Sequence, residues 1–177
     1  AVGAAPTAIA VIGVDEGGEN AIIVASGANL ETAAAQVPDA MLRAGVTVLC
    51  QNEIRPEQTF EALRRAKAQG ARTVLNMAPA SPVPDEVLRA LDVLVVNELE
   101  AATVAEAAGE PPEATAALLA RRHGLTCVVT LGSAGALMAE SGRLLAQVFA
   151  ALDRLPLQGR STMEINDFVE RMIVDEL

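Results

Sequence analysis

Four short apolar runs, spaced so that a helix-length segment fits between one and the next, set the tightest limit on how this 177-residue chain folds. They are Val46 to Cys50, Arg72 to Asn76, Leu91 to Val96 and Thr126 to Thr130. Rich in β-branched residues and bounded by Gly, Pro or polar residues, they read as buried strands. The segments between them read as helices over 56–69, 85–90, 98–108 and 112–122, with Gly70 and Gly109 as closing residues. Strands joined by helices demand right-handed crossovers and a parallel sheet, so the predicted fold is α/β: a doubly wound, mostly parallel sheet with helices on both faces. Composition agrees. The chain is 51% hydrophobic but only 2% aromatic, so its core must be layered from small aliphatic side chains.

Upstream the pattern differs. Ala8 to Val14 and Ala21 to Ala25 alternate around the polar loop Asp15-Glu16-Gly17-Gly18-Glu19-Asn20, which predicts an antiparallel hairpin over residues 8–25. Ser26-Gly27-Ala28-Asn29 breaks that pattern, and Leu30 to Ala44, with Pro38 inside it, allows at most one or two short helices. Downstream, Ala136 to Glu140 and Arg143 to Ala146 read as a small strand pair around Ser141-Gly142, and Met163 to Leu177 reads as a last helix. A single domain over 1–177 is expected.

Thirteen basic and twenty-three acidic residues give a net charge of -10, which excludes nucleic acid and anionic membranes as partners. Small anions are not excluded, because backbone N–H groups and helix N-termini bind phosphate irrespective of net charge. Cys50 and Cys127 lie in apolar runs and read as buried free thiols. With no cationic leader and no apolar stretch of about 18 residues, a cytoplasmic protein is expected. The single His123, just before Gly124 at a helix C-terminus, reads as structural. One histidine and no Cys/His ligand spacing leave neither a hydrolytic triad nor a zinc site.

In parallel sheets ligands bind beyond the carboxyl ends of the strands, here the loops after Cys50, Asn76, Val96 and Thr130. Each of these loops carries polar residues. Glu53, just past the first strand, is placed to accept hydrogen bonds from hydroxyls, or is an ordinary solvated acid. Asn97 and Glu100, three apart at a helix start, suit either an N-cap or a hydrated divalent cation beside a phosphate. Thr130, Gly132, Ser133 and Gly135 form a hydroxyl- and glycine-rich turn that lets backbone approach a phosphate, or simply reverses the chain.

Together these segments resemble the ribokinase branch of the phosphofructokinase-B-type carbohydrate kinases. The resemblance runs over residues 7 to 140. It rests on Gly18-Glu19-Asn20-Ala21 through Gly27-Ala28-Asn29, on Asn76-Met77-Ala78-Pro79-Ala80 with Pro84-Asp85-Glu86, on Asn97-Glu98-Leu99-Glu100, and on Val129-Thr130-Leu131-Gly132-Ser133-Ala134-Gly135. What it implies is transfer of the γ-phosphoryl group of ATP to a sugar hydroxyl, with ribose the leading acceptor. By the same resemblance Glu53 contacts the sugar, Asn97 serves the nucleotide, Glu100 serves Mg²⁺, and Thr130, Gly132, Ser133 and Gly135 line the ATP site. A monovalent cation such as K⁺ and a homodimer through a lid hairpin at 8–25 are further implications. The family's first strand and its Gly-Gly segment belong before Ala1, so the sugar site is expected to be incomplete. Its Gly-Ala-Gly-Asp motif, whose Asp is the general base, has no counterpart, and the stretch from Ala146 to Phe149 reads as though a segment were skipped. No base is therefore assigned, and a catalytically inactive remnant serving as a nucleotide-binding or assembly module is the alternative function.

Overall fold

The computed structural model describes residues 5–18 and 20–140. Every predicted strand among them forms within about two residues of its expected bounds: β1 (Ile9–Val14), β2 (Asn20–Ala25), β3 (Thr47–Gln51), β4 (Arg72–Asn76), β5 (Val93–Asn97), β6 (Thr126–Thr130) and β7 (Ala136–Glu140). The helices are α1 (Pro56–Ala68), α2 (Asp85–Leu88), α3 (Glu98–Ala105) and α4 (Pro112–His123). Local chemistry sets their ends. Helix α1 starts with Pro56 and Glu57 and ends with Arg65 and Lys67, an arrangement that suits both the free N–H groups and the dipole. Helix α3 stops three residues earlier than its sequence suggests, because Glu106 turns left-handed at φ 53° and its N–H caps Ala102 and Thr103. Gly109, the expected stop, closes the following turn instead.

The strands form a five-stranded sheet in the order β3-β4-β5-β6-β7, and β1 and β2 form a separate antiparallel pair, Ile9 opposite Ala25 through Val14 opposite Asn20. Strands β3 to β6 run parallel and β7 is antiparallel to β6. A mostly parallel sheet with helices, plus an antiparallel hairpin, is thus the architecture. One pairing was not among the expectations: Ala136–Glu140 pairs with β6 from Thr126↔Glu140 to Thr130↔Ala136, while its expected partner Arg143 to Ala146 lies outside the described residues. The free edge of a buried strand leaves a row of unpaired N–H and C=O groups, and a strand returning through five residues satisfies them at once. Arg143 to Ala146 and Met163 to Leu177 lie outside the described residues.

Burial along the strands alternates. Leu75, Leu94, Val96, Cys127 and Val129 are buried, and they join Phe60 and Leu63 of α1, Val87 and Leu88 of α2, Ala101 and Val104 of α3, and Ala116 and Leu119 of α4 in one cluster. Right-handed crossovers that step across adjacent strands in one direction put their helices on one face, which is why all four helices share this cluster. The opposite face carries Leu49, Val74, Val93, Val95, Val128 and Met138, of which Leu49 and Met138 are 66% exposed. A second helical layer is not among the described residues. Cys127 is buried and burial pushes its thiol up to about 12, whereas Cys50, on edge strand β3, is half-buried; both are free.

Between hairpin and sheet lie three 3₁₀ turns, Gly27–Glu31, Ala34–Gln36 and Asp39–Met41; the last two fall in Leu30 to Ala44, where the sequence suggested at most one or two short helices, and the first begins in the break at residues 26–29. Arg65 organises them from α1. Its guanidinium donates to Ala34 O at 2.7 Å and Val37 O at 2.8 Å and pairs with the Asp39 carboxylate. At the hairpin's foot the backbones touch: a Cβ on Gly27 would lie 2.3 Å from Pro6 O, while the Ala28 N–H donates to that same oxygen at 2.8 Å. No helix among the described residues is long and apolar enough to cross a membrane.

Candidate functional site

Parallel register carries the C-terminal ends of β3 to β6 to one edge of the sheet. Gln51 pairs with Asn76, and Asn97 pairs with Thr130. The four loops identified from sequence therefore open on the same side. The fourth differs in kind: it joins β6 to an antiparallel strand, not to a helix, so the Thr130 turn is a reversal at the sheet edge.

Two groups of residues result. In the first, Asn97 ends β5 and N-caps α3, where its Oδ1 accepts from Glu100 N–H at 2.8 Å and Glu100 Oε2 accepts from Asn97 N–H at 2.7 Å. This reciprocal capping box satisfies two otherwise unpaired donors. It also fixes the Glu100 carboxylate at the end of β5; at the adjacent end of β6, Thr130 is exposed and its hydroxyl donates to Val96 O at 3.4 Å. Beyond Thr130, Gly132 and Gly135 take φ of 57° and 98° around the 3₁₀ turn Gly132–Ala134, and Leu131 N–H donates to Gly135 O at 2.8 Å. Nothing lies within 4 Å of a Cβ at either glycine, so backbone conformation, and not crowding, selects glycine there. Ser133 is exposed at the tip. Asn97, Thr130, Gly132, Ser133 and Gly135 are thus exposed at adjacent strand ends, with Glu100 half-buried beside Asn97.

Glu53 belongs to the second group. It lies exposed past β3, two strand spacings from β5 and so about 10 Å away along the edge. It lines a cavity of about 320 Å³ with Asn29, Ala34, Cys50, Ile54 and Gln58. The polar groups of that cavity are partly engaged already. Gln58 Oε1 accepts from Ala34 N–H at 2.9 Å, and Thr59 Oγ1 donates to Gln51 O at 3.4 Å.

Asn52 was not singled out by sequence. It is buried, and its Nδ2 donates to Pro79 O at 2.8 Å and to Ser81 Oγ at 3.1 Å. The only sequence signal for it was an amide wedged between two other polar residues in Gln51-Asn52-Glu53. His123, by contrast, has the structural place expected at the end of α4. Burial lowers its pKa below the ordinary histidine value, Asp85 opposes that shift, and Nδ1 has no hydrogen-bond partner among the described residues.

No cluster of three or more His, Cys, Asp or Glu side chains able to hold a metal occurs among the described residues. Glu100 supplies a single oriented carboxylate. That donor set fits a hydrated Mg²⁺, which is ordinarily held by one or two carboxylates and completed by phosphate oxygens and water.

Comparison with known proteins adds a family. Residues 1–150 match the model of the pfkB family carbohydrate kinases. The ribokinase of Haemophilus influenzae is 34% identical over 142 residues, which are 77% of this chain and 46% of that protein. Among solved structures, the ribokinase of Giardia lamblia superposes with a TM-score of 0.67 at 32% identity, covering 79% of this chain and 47% of the other. The ribokinase of Arabidopsis thaliana, solved with ribose and ATP, gives 0.63 at 24% identity over 94% of this chain and 61% of its own, a likeness of fold. This chain spans less than half the length of the curated relatives it matches. With the sheet order, the hairpin and the family match in agreement, the chain belongs to the pfkB family of carbohydrate kinases.

Proposed function

We propose that this chain carries the nucleotide side of an ATP-dependent sugar kinase that phosphorylates a hydroxyl of ribose. The observation that carries the reading is the pairing of Asn97 with Thr130, which puts the Glu100-capped start of α3 and the Gly132–Gly135 turn at adjacent strand ends on the C-terminal sheet edge. Membership of the family and the similarity to ribokinases support ATP and ribose as the substrates.

In this reading the Thr130 hydroxyl and the backbone of Gly132, Ser133 and Gly135 bind the nucleotide, Asn97 orients it, and Glu53 receives hydrogen bonds from the sugar. Mg²⁺ held near Glu100 supplies neutralisation of phosphate charge. Phosphoryl transfer forms a bond from the sugar oxygen to Pγ, breaks the bond from Pγ to the bridging oxygen of ADP, and releases the proton of the sugar hydroxyl to water. Such transfer needs mostly positioning and charge compensation, which is what two fixed groups on one sheet edge provide. No residue is assigned as the base. K⁺ belongs to the reading as an activator, to be tested by replacing it with Na⁺.

Hairpin β1-β2 fits a homodimer in the same reading. Val11, Ile12 and Ile23 are 63%, 59% and 74% exposed, and a two-stranded ribbon with apolar side chains on both faces gains by pairing with a second copy. Sedimentation of the chain and of Ile23→Lys reads this directly: a dimer that the substitution dissociates is expected, and a monomeric parent chain removes the dimer. A single domain over 1–177 and a cytoplasmic location, where Cys50 and Cys127 stay reduced, complete the proposal.

A second reading, a nucleotide-binding or assembly module without turnover, is favoured by the capping box, in which Asn97 and Glu100 satisfy each other with no ligand. Measuring ADP formation from ATP and Mg²⁺ with and without ribose separates the two. Ribose-dependent ADP release supports the kinase. ATP binding by calorimetry with no turnover supports the module, and neither heat nor turnover defeats both the kinase and the nucleotide-binding form of the module.

A further inference from the structure

We propose that Asn52 is the positioning residue of the sugar side, holding Glu53 in place by bolting the loop after β3 to the loop after β4. The inference rests on the reading of Glu53 as the sugar contact.

Three hydrogen bonds make the bolt. The Asn52 backbone N–H donates to Ala78 O at 3.2 Å, and the two donors of its amide go to Pro79 O and Ser81 Oγ. All three acceptors belong to the segment that follows β4, the neighbour of β3 in the sheet. The next residue, Glu53, is held from the other side, since its carbonyl accepts from Asn29 Nδ2 at 3.4 Å. Its carboxylate needs no fixing for stability, because the residue is exposed. Its backbone is nevertheless held directly by the Asn29 amide and, one residue earlier, by the Asn52 amide, which ties the loop to the segment after β4.

The chemistry of Asn52 argues against simple space filling. The residue is 6% exposed, and its Oδ1 is buried with no hydrogen-bond donor among the described residues. An unpaired buried acceptor is a penalty that an apolar residue of similar size avoids. The amide is oriented for its two donors at the expense of its acceptor, which fits a residue whose task is to hold Pro79 and Ser81. Asn52 is absent from the lining of the Glu53 cavity, so it acts through its neighbour and does not touch a ligand there.

Amide hydrogen exchange on the full chain, without ligand, tests the bolt. Asn52→Ala should raise exchange at least about tenfold in peptides over 50–56 and 76–82 and leave those over β5 and β6 unchanged. Unchanged exchange around residue 53 overturns the proposal. Ser81→Ala, which removes a single acceptor, replaces Asn52→Ala if that variant does not fold, and should give a smaller rise in the same two peptides. Calorimetry with D-ribose and with ATP separates positioning from mere structure: Asn52→Ala should weaken ribose at least about tenfold and ATP less than about twofold, the pattern expected from loss of one oriented contact. Equal weakening of both ligands, or of neither, overturns it. A parent chain that gives no heat with ribose removes the substrate reading of the previous subsection, while exchange at residue 53 still decides whether Asn52 holds Glu53.

Discussion

Asn97 lies directly opposite Thr130 on adjacent parallel strands, and from that register a capped helix start and a glycine-lined turn become neighbours. Neither residue acquires this relation from its local sequence, since thirty-three positions separate them.

The capping box separates a structural from a ligand role for Glu100. Glu100→Gln keeps an N3 side chain that can reach the Asn97 N–H, so urea stability should change by less than about 0.5 kcal/mol. Affinity for Mg²⁺ and ATP together should fall, with affinity for ATP in EDTA unchanged. Asn97→Ala should instead cost about 1 kcal/mol of stability through loss of the cap. A Glu100→Gln variant with unaltered Mg²⁺-dependent affinity would leave Glu100 a cap alone.

Gly135 and Gly132 should respond unequally to alanine. Gly135 combines φ 98° with ψ -131°, a region essentially closed to residues with a Cβ, whereas Gly132 at φ 57° lies in the left-handed region that such residues enter at smaller cost. Gly135→Ala should lose about 1 to 3 kcal/mol in urea unfolding, and Gly132→Ala about 1 kcal/mol. The reverse ranking would contradict this backbone.

Arg65 carries the loop from residue 34 to 39. Removing its guanidinium leaves Ala34 O and Val37 O without that donor, so Arg65→Ala should destabilise by about 1 to 3 kcal/mol and open this loop to proteolysis. Arg65→Lys should recover little, because one ammonium cannot reproduce a fork that reaches two carbonyls and a carboxylate. Full recovery by lysine would contradict the fork.

Acid sensitivity should appear in two steps. Burial holds the His123 pKa below its ordinary value, so the unfolded chain binds a proton that the folded chain does not. The stability contributed is complete above about pH 6.5 and declines as pH falls below it toward the lowered folded value. His123→Gln should flatten that step. For Asp92, burial works to raise the pKa but is outweighed by hydrogen bonds from Lys67 at 2.6 Å and from Thr73 N–H at 2.8 Å, and the net shift is downward. Its contribution is complete above about pH 4 and is lost as pH falls through the folded value. Urea midpoints from pH 8 to pH 3, compared with His123→Gln and Asp92→Asn, check both signs.

Strands were legible because β-branched runs such as Thr126 to Thr130 have no good helical packing, and glycines or prolines bound them. Helix ends were less legible: α3 stops at a left-handed Glu106, a conformation that a residue with a Cβ adopts only with help from its surroundings. The Asn97 and Glu100 spacing was visible as three positions on one helix face, and its reciprocal hydrogen bonds followed from that spacing alone. Asn52 and Arg65 were not visible, because their partners lie 27 to 31 residues away for the bonds to Pro79 O and Ala34 O. The pairing of β7 with β6 was equally out of reach, since any nearby apolar run offers the same local pairing.

For the Asn97 corner, sequence by itself determined the parts: a cap with a glutamate three residues on, and a turn that requires glycine at two places. Only tertiary structure decided that β5 and β6 are neighbours in register, which brings the parts together. The reason is physical. Caps and turns are set by hydrogen bonds and φ angles within a few residues, whereas strand order and register are set by which apolar faces bury one another across the whole sheet.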